Sequence, residues 1–288
     1  MTDWLALTRR ASFASHRLVG WIFWDPTAKD NLEALGVPGG LGHYVAYRAA
    51  PLAAAGTEAV VAAFYTIRRE LLEFALRHAE PHADWHAIHR ARDRAVMTGL
   101  QAIAPEIIEP LGALADDLWR AVDELPVGGR VLFATHKQWP RPAEPVLGAW
   151  NAINTGREWR GDTHFALLIT EEIGAVEAGL LHDAWMGYPS QWIPRSRGAD
   201  DDAINAALAV LEARGMVTDG VVNDRGVEYR QWLEDRTDEL CVAAWRCVGE
   251  ATTQRFLDIV EPVSQRFVDH IDRTAGDHWM PAARPRRR

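Results

Sequence analysis

Cysteine is nearly missing from this chain: Cys241 and Cys247 are the two in 288 residues. They form no CxxC pair and no zinc-ligand spacing, so the expected setting is the reducing cytosol. No stretch approaches the roughly 18 to 20 uninterrupted apolar residues that span a bilayer, and the opening MTDWLALTRR lacks the charged-then-apolar layout of a signal peptide. A cytoplasmic protein without a membrane partner is expected. Basic charge is also short, with 31 Lys and Arg against 40 Asp and Glu and a formal net charge of -9. That balance repels polyanions unless a local basic patch overrides it. No GxGxxG loop, P-loop, HExxH or GxSxG motif occurs, so nothing nominates NAD, ATP, a covalent serine or an iron-sulfur cluster, the cofactor is unknown and no metal is assigned. What remains, 48% hydrophobic and 25% charged residues, is the composition of a soluble globular protein with room for one large domain or two modest ones.

Alternating β patterns are scarce, whereas apolar residues recurring every three or four positions cover most of the chain, which predicts a mainly α fold. Helices are expected over residues 3–23, 41–50, 57–79, 82–103, 106–124, 146–160, 163–186, 200–214 and 226–270. Pro26, Gly39-Gly40, Pro51, Pro81, Pro105 and Gly128-Gly129 stand where periodic segments stop. The stretch THKQWPRPAEP, residues 135–145, holds three prolines and predicts an extended linker. The expected division is an N-terminal helical domain over 1–134, a winged-helix domain over 146–240, a C-terminal helix over 241–275 and a solvated, disordered basic tail over 276–288.

The clearest local signature is DDDAINAALAVLEARGMVTDGVVNDRG, from Asp200 to Gly226. Ala203, Ala207, Leu208 and Leu211 make an apolar helical face that ends at Arg214-Gly215. Met216-Val217 and Val221-Val222 read as two short strands joined by the hairpin turn Asp219-Gly220, and a further helix opens at 223–226. Segments 175–186 and 189–195 supply two preceding helices, completing a winged helix-turn-helix with a two-stranded wing. A DNA-reading helix places hydrogen-bond donors in its first turn. Here that turn is Ala199, Asp200, Asp201, Asp202, which suits a helix N-terminus but opposes phosphate. Arg195, Arg197 and Arg225 are the nearby candidates for DNA contact.

The phrase LEARGMV resembles the corresponding stretch of MarR-type regulators. With the blocks YVAYRAAPLAAAGTEAVVAAFY (44–65) and WNAINTGREWRGDTH (150–164), the chain resembles a mainly actinobacterial helix-turn-helix, MarR-like winged-helix family. The resemblance implies a helical domain followed by a winged helix, and a homodimer, because MarR-like proteins commonly pair through such helices. It brings no catalytic residues to carry over.

The block REWRGDTH gathers Arg157, Glu158, Arg160, Asp162 and His164 beside Trp159. On a helix Glu158 and Asp162 share a polar stripe with Asn151, Asn154 and Thr155, opposite Leu147, Trp150 and Ile153. Gly161 is expected to break the helix and turn Asp162 and His164 toward the next segment, where an Asp that orients a His suits acid-base work. The structural alternative is an ion-pair cluster with Asp162 or Thr163 capping the next helix. His182 lies on an otherwise apolar helix. Arg48, among small residues, is placed to clamp a carboxylate or phosphate or to form an interdomain salt bridge, with Tyr47 and Tyr65 beside it. His82, His86 and His89 recur at i, i+4 and i+7; the spacing can hold zinc or nickel, but the strip flanks an apolar stripe and reads as a solvated surface. Thirteen tryptophans fill a core or wall a flat ligand site.

These features favour a protein that binds a small organic molecule between two helical domains, reusing the winged helix as scaffold. Arg48, Tyr47, Tyr65, Trp150, Asn154, Arg160 and His182 are candidates for its lining, and His164, Asp162 and Glu158 for any acid-base chemistry. The alternative is a ligand-responsive, MarR-like transcription regulator that binds DNA through the wing, disfavoured by the acidic turn. A third reading is a scaffold protein with no ligand.

Overall fold

The computed structural model describes residues 2–37, 42–82 and 84–286; the Gly39-Gly40 pair lies outside the described residues. In chain order come α1 (Trp4–Gly20), a 3-10 turn (Trp21–Trp24), α2 (Pro26–Glu33), α3 (Gly42–Ala53), α4 (Thr57–Ala63), α5 (Arg69–Ala79), α6 (Trp85–Ile103), a 3-10 turn (Pro105–Ile107), α7 (Ile108–Gly112), α8 (Ala115–Glu124) and α9 (Val131–Gln138). There follow α10 (Pro145–Thr170), α11 (Ala175–Met186), α12 (Trp192–Ser196), α13 (Asp201–Ala213), β1 (Val217–Thr218), β2 (Val221–Val222), α14 (Asp224–Val248), α15 (Glu250–Val260), a 3-10 turn (Glu261–Val263), α16 (Ser264–Thr274) and a last 3-10 turn (Pro281–Ala283). The fold is mainly α, with one antiparallel wing in which Val217 pairs with Val222 and Thr218 with Val221.

Side-chain caps set several starts. Asp3, Asp25, Asp84, Asp200 and Asn223 each accept from the backbone N–H three residues on, opening α1, α2, α6, α13 and α14; such caps contribute about 1 kcal/mol each. Pro26 occupies the first turn of α2, where its missing N–H is harmless. Pro51, read as a terminator, lies inside the last turn of α3. The expected helix 57–79 divides at 64–68 into α4 and α5.

The long central helix is the main departure from expectation. Gly161 does not break it: α10 runs unbroken for 26 residues. Every residue from 146 to 155 is buried, so packing from α1, α7, α8, α9 and α14 on all sides outweighs the roughly 1 kcal/mol that a mid-helix glycine costs. Consequently neither Asp162 nor Thr163 is a cap. The proline-bearing segment is helical up to Gln138 and extended only beyond it.

α10 joins two apolar cores. Its first part, with Val146, Trp150 and Trp159, belongs to the large cluster built with α1, α2, α6, α8, α15 and α16. Its last part, Leu167 and Leu168, packs with Leu181, Ile204, Leu211, Val217 and Leu233 in the core of the winged helix. The expected helix 226–270 is three helices, because Gly249 adopts φ 86° between α14 and α15 and Pro262 falls in the 3-10 turn before α16. The tail is not solvated as expected: Ala283 is fully buried and Arg17 Nε donates to its carbonyl at 2.9 Å. Among the described residues no helix is long and apolar enough to cross a membrane.

Candidate functional site

A cavity of about 220 Å³ lies where α10 passes from one core to the other, bounded by α1, α3, α11, α12, α14 and the C-terminal segment. One wall is aromatic. Trp279 stacks on Trp24 at 4.0 Å between ring centroids and meets Trp192 edge-on at 4.6 Å, while Trp24 also stacks on Tyr44 at 5.9 Å. The segment expected to be a frayed tail therefore builds the wall.

Tyr44 joins this wall to a charged one. Arg48 Nε and Nη2 donate to the two oxygens of Glu158 at 2.9 and 2.7 Å, and Arg48 Nη1 donates to the Tyr44 hydroxyl at 2.8 Å. Arg157 Nη2 donates to the same carboxylate at 2.7 Å. Glu158 is wholly buried; burial alone would raise its pKa, but the charges of Arg157 and Arg48 prevail and hold it well below the usual carboxylate range. Nearer α14, Glu234 accepts from Arg230 at 2.7 Å and from Arg160, which also reaches Asp238 at 3.0 Å. Arg197, the fifth guanidinium of the lining, makes no ion pair and no side-chain hydrogen bond among the described residues. Asp183 acts on it electrostatically, yet spends both oxygens on the Ile193 amide at 3.1 Å.

His164 lines this cavity, but Asp162 does not orient it. The Thr237 hydroxyl donates to the Leu233 carbonyl at 2.7 Å, so in the 2.8 Å contact between Thr237 Oγ1 and His164 Nδ1 the imidazole N–H is the donor, which leaves Nε2 as acceptor. Burial first, and the charge of Arg230 second, bring the His164 pKa down to about 3. Asp162 points the other way: its Oδ2 accepts from the Phe133 amide at 2.9 Å, and burial pushes its carboxyl up to about 7. An unbroken α10 is the reason, since two positions along a helix turn the side chains by about 200°, which puts 162 and 164 on opposite faces.

Of the other expected lining residues, Arg48, Arg160 and His182 border the cavity; burial lowers the His182 pKa well below its ordinary value. Tyr47 is a core residue whose hydroxyl donates to Ala28 O. Tyr65 donates to Ile173 O at 2.7 Å, and Trp150 Nε1 to Leu18 O at 3.0 Å. Asn154 accepts from Arg157 at 3.3 Å behind the wall. Sequence reasoning placed Arg157 in the REWRGDTH cluster but missed Tyr44, Arg230, Glu234, Trp192 and Trp279. The i, i+4 pair Arg230 and Glu234 was a readable signal; nothing local pointed to the C-terminal tryptophan.

The three arginines proposed for DNA do not form one surface. Arg197 turns into the cavity, Arg195 pairs outward with Asp201 at 2.7 Å, and Arg225 stands exposed beside the wing. The exposed face of α13 presents Asp201, Asp202, Asn205, Val210 and Glu212. The histidine strip is not a uniformly solvated surface: His89 is buried against Arg92, 2.9 Å away, and Asp93, while His86 stacks on Trp139 at 4.3 Å. Among the described residues no three His, Cys, Asp or Glu side chains are grouped to hold a metal ion.

The sequence pattern of a helix-turn-helix family matches residues 8–273, and the chain belongs to that family. No curated protein and no solved structure matches it.

Proposed function

We propose that this helix-turn-helix family member binds a small organic molecule in the cavity between its two apolar cores. One observation carries the reading. Both ring nitrogens of His16, Trp24 Nε1, Arg157 Nε, Arg160 Nε, His182 Nε2 and Arg230 Nη1 are buried without a hydrogen-bond partner, and all six residues line this one cavity. Folded proteins leave few such groups, each costing about 1 to 3 kcal/mol, so their gathering at an aromatic-walled cavity is the mark of a binding site. The winged helix serves as half of the container.

The role assigned to His164 is hydrogen bonding through Nε2. An imidazole near 3 is far from the neutral range in which a general acid or base works best. Native mass spectrometry of freshly purified, untagged protein tests the reading: an adduct of defined mass, lost on denaturation, is the expected result. A bare protein overturns it, and so does an adduct whose affinity is unchanged in both His164→Ala and Arg48→Ala.

The second reading, a ligand-responsive regulator, is favoured by the family match and by the helix-turn-helix itself. It requires DNA affinity that falls steeply with salt and is lost on charge reversal at Arg225. The acidic outer face of α13 supports the first reading over this one.

A further inference from the structure

The charge inventory of the cavity narrows its ligand to one chemical class. This step rests on the reading of the cavity as a ligand site.

Five guanidinium groups line it: Arg48, Arg157, Arg160, Arg197 and Arg230. Three carboxylates neutralise them, and these are shared. Glu158 serves Arg48 and Arg157, while Glu234 and Asp238 serve Arg160 and Arg230. Arg197 has no ion pair among the described residues, and the one further carboxyl that acts on it, Asp183, leaves the guanidiniums still in excess. A chain with a formal charge of -9 thus concentrates excess positive charge around one internal space.

The unpartnered polar atoms carry the same bias. Arg157 Nε, Arg160 Nε, Arg230 Nη1 and Trp24 Nε1 are donors only, because neither guanidinium nor indole nitrogen accepts. The neighbouring imidazoles do not add to the charge, since burial holds His16, His164 and His182 neutral near pH 7. The neutral imidazoles of His16 and His164 add acceptor nitrogens, but donors outnumber acceptors, which favours an acceptor-rich anion, and an unpaired guanidinium matches carboxylate or phosphate in a forked geometry. The aromatic wall of Trp24, Trp192 and Trp279 suits a planar ring. Size sets the limit: a cavity of about 150 Å³ accepts benzene, so about 220 Å³ holds one ring system and its charged substituent.

We infer that the cavity binds a small aromatic anion, a ring bearing a carboxylate or phosphate, with the anion on Arg197 and the ring against Trp279.

The test is titration calorimetry of the full chain, backed by tryptophan fluorescence, with benzoate, phenyl phosphate and the neutral isostere benzamide. At least one of the two anions is expected to bind about tenfold or more tightly than benzamide, a difference of about 1.4 kcal/mol, and the preferred anion identifies the group. Arg197→Gln is expected to bring anion and amide within about twofold of each other, while Arg195→Gln, which alters a surface pair, leaves the ratio unchanged. Circular dichroism confirms that both variants fold. Benzamide binding as tightly as both anions overturns the inference and leaves the ligand reading standing. Failure of both anions to bind at about 10 mM also overturns it, and the mass-spectrometric adduct then decides the ligand reading by itself. An anion preference that survives Arg197→Gln overturns the assignment of Arg197.

Discussion

The inner side of α11 and α12 and the outer side of α13 belong to the same winged helix, yet their charges are opposite in sign and in environment. Inside, Arg197 and His182 face a cavity shared with Arg48 and Arg160. Outside, Asp201, Asp202 and Glu212 are exposed to water, with Arg195 tied to Asp201. A helix-turn-helix that reads DNA needs the reverse, with cations on the outer face of its recognition helix. The contrast between the two sides of one scaffold is a matter of position, which decides what a charge can do. Water screens the outer carboxylates, whereas each inner charge must have a partner or a ligand.

The largest expected effect comes from breaking the inner network. Glu158→Gln leaves Arg48 and Arg157 buried without their shared carboxylate and is expected to lower unfolding free energy by about 3 to 5 kcal/mol, read from urea denaturation. An effect below about 1 kcal/mol would mean that the buried charges matter no more than those outside.

Protonation sharpens the comparison next. Asp162 has a folded pKa of about 7, above its unfolded value of about 3.9. As pH rises from 4 to 7 the unfolded chain releases this proton while the folded chain keeps it, so stability falls through that window. Asp162→Asn, whose amide oxygen can still accept from Phe133, is expected to gain stability relative to the parent between pH 4 and 7 and keep the gain above it. His136 and His164, both held down to about 3 by burial, act with the opposite sign. Their contribution is present above pH 6.5 and is lost as pH falls toward 3. Denaturation midpoints at pH 4, 6 and 8 separate the two slopes, and a parallel profile for Asp162→Asn would refute the assignment.

A smaller effect is expected from the aromatic wall. Trp279→Ala removes two ring contacts worth about 0.5 to 1.5 kcal/mol each and weakens aromatic ligands more than it weakens the fold. The smallest belongs to the outer face: Asp202→Lys with Glu212→Lys should change stability by no more than about 0.5 kcal/mol. At low salt the double variant is expected to show stronger salt-sensitive DNA binding than the parent, measured by fluorescence anisotropy. Equal DNA affinity in parent and variant would erase the contrast.

Two glycines show where local reading stops. Gly161 lies within a helix expected to break there and does not break, while Gly249 lies within a helix expected to continue and ends it with φ 86°. Propensity assigns both about the same 1 kcal/mol penalty. Surrounding helices hold α10 straight, whereas no Cβ at Gly249 would meet any atom within 4 Å, and the chain turns freely. The wing was legible because its information is consecutive: the end of α13, the Asp219-Gly220 turn and the cap at Asn223 follow one another directly. The cavity was legible only in part. Arg48, Arg160, His164 and His182 stood out as polar residues in apolar surroundings, but Tyr47, Tyr65 and Trp150 shared that look and belong to the core. Arg197, a candidate DNA contact by its place in the sequence, lines the cavity.

The amino-acid pattern alone determined that the chain is helical, where most helices begin, that a winged helix follows Asp200, and that the recognition turn is acidic, since each rests on periodicity or on neighbours a few residues apart. Only the tertiary structure decided that Arg48 meets Glu158 across 110 positions, that Thr237 and not Asp162 holds His164, and that Trp279 closes the cavity. Those pairings are chosen by how the sixteen α-helices among the described residues pack against one another, and the spacing of residues along the chain carries no record of that choice.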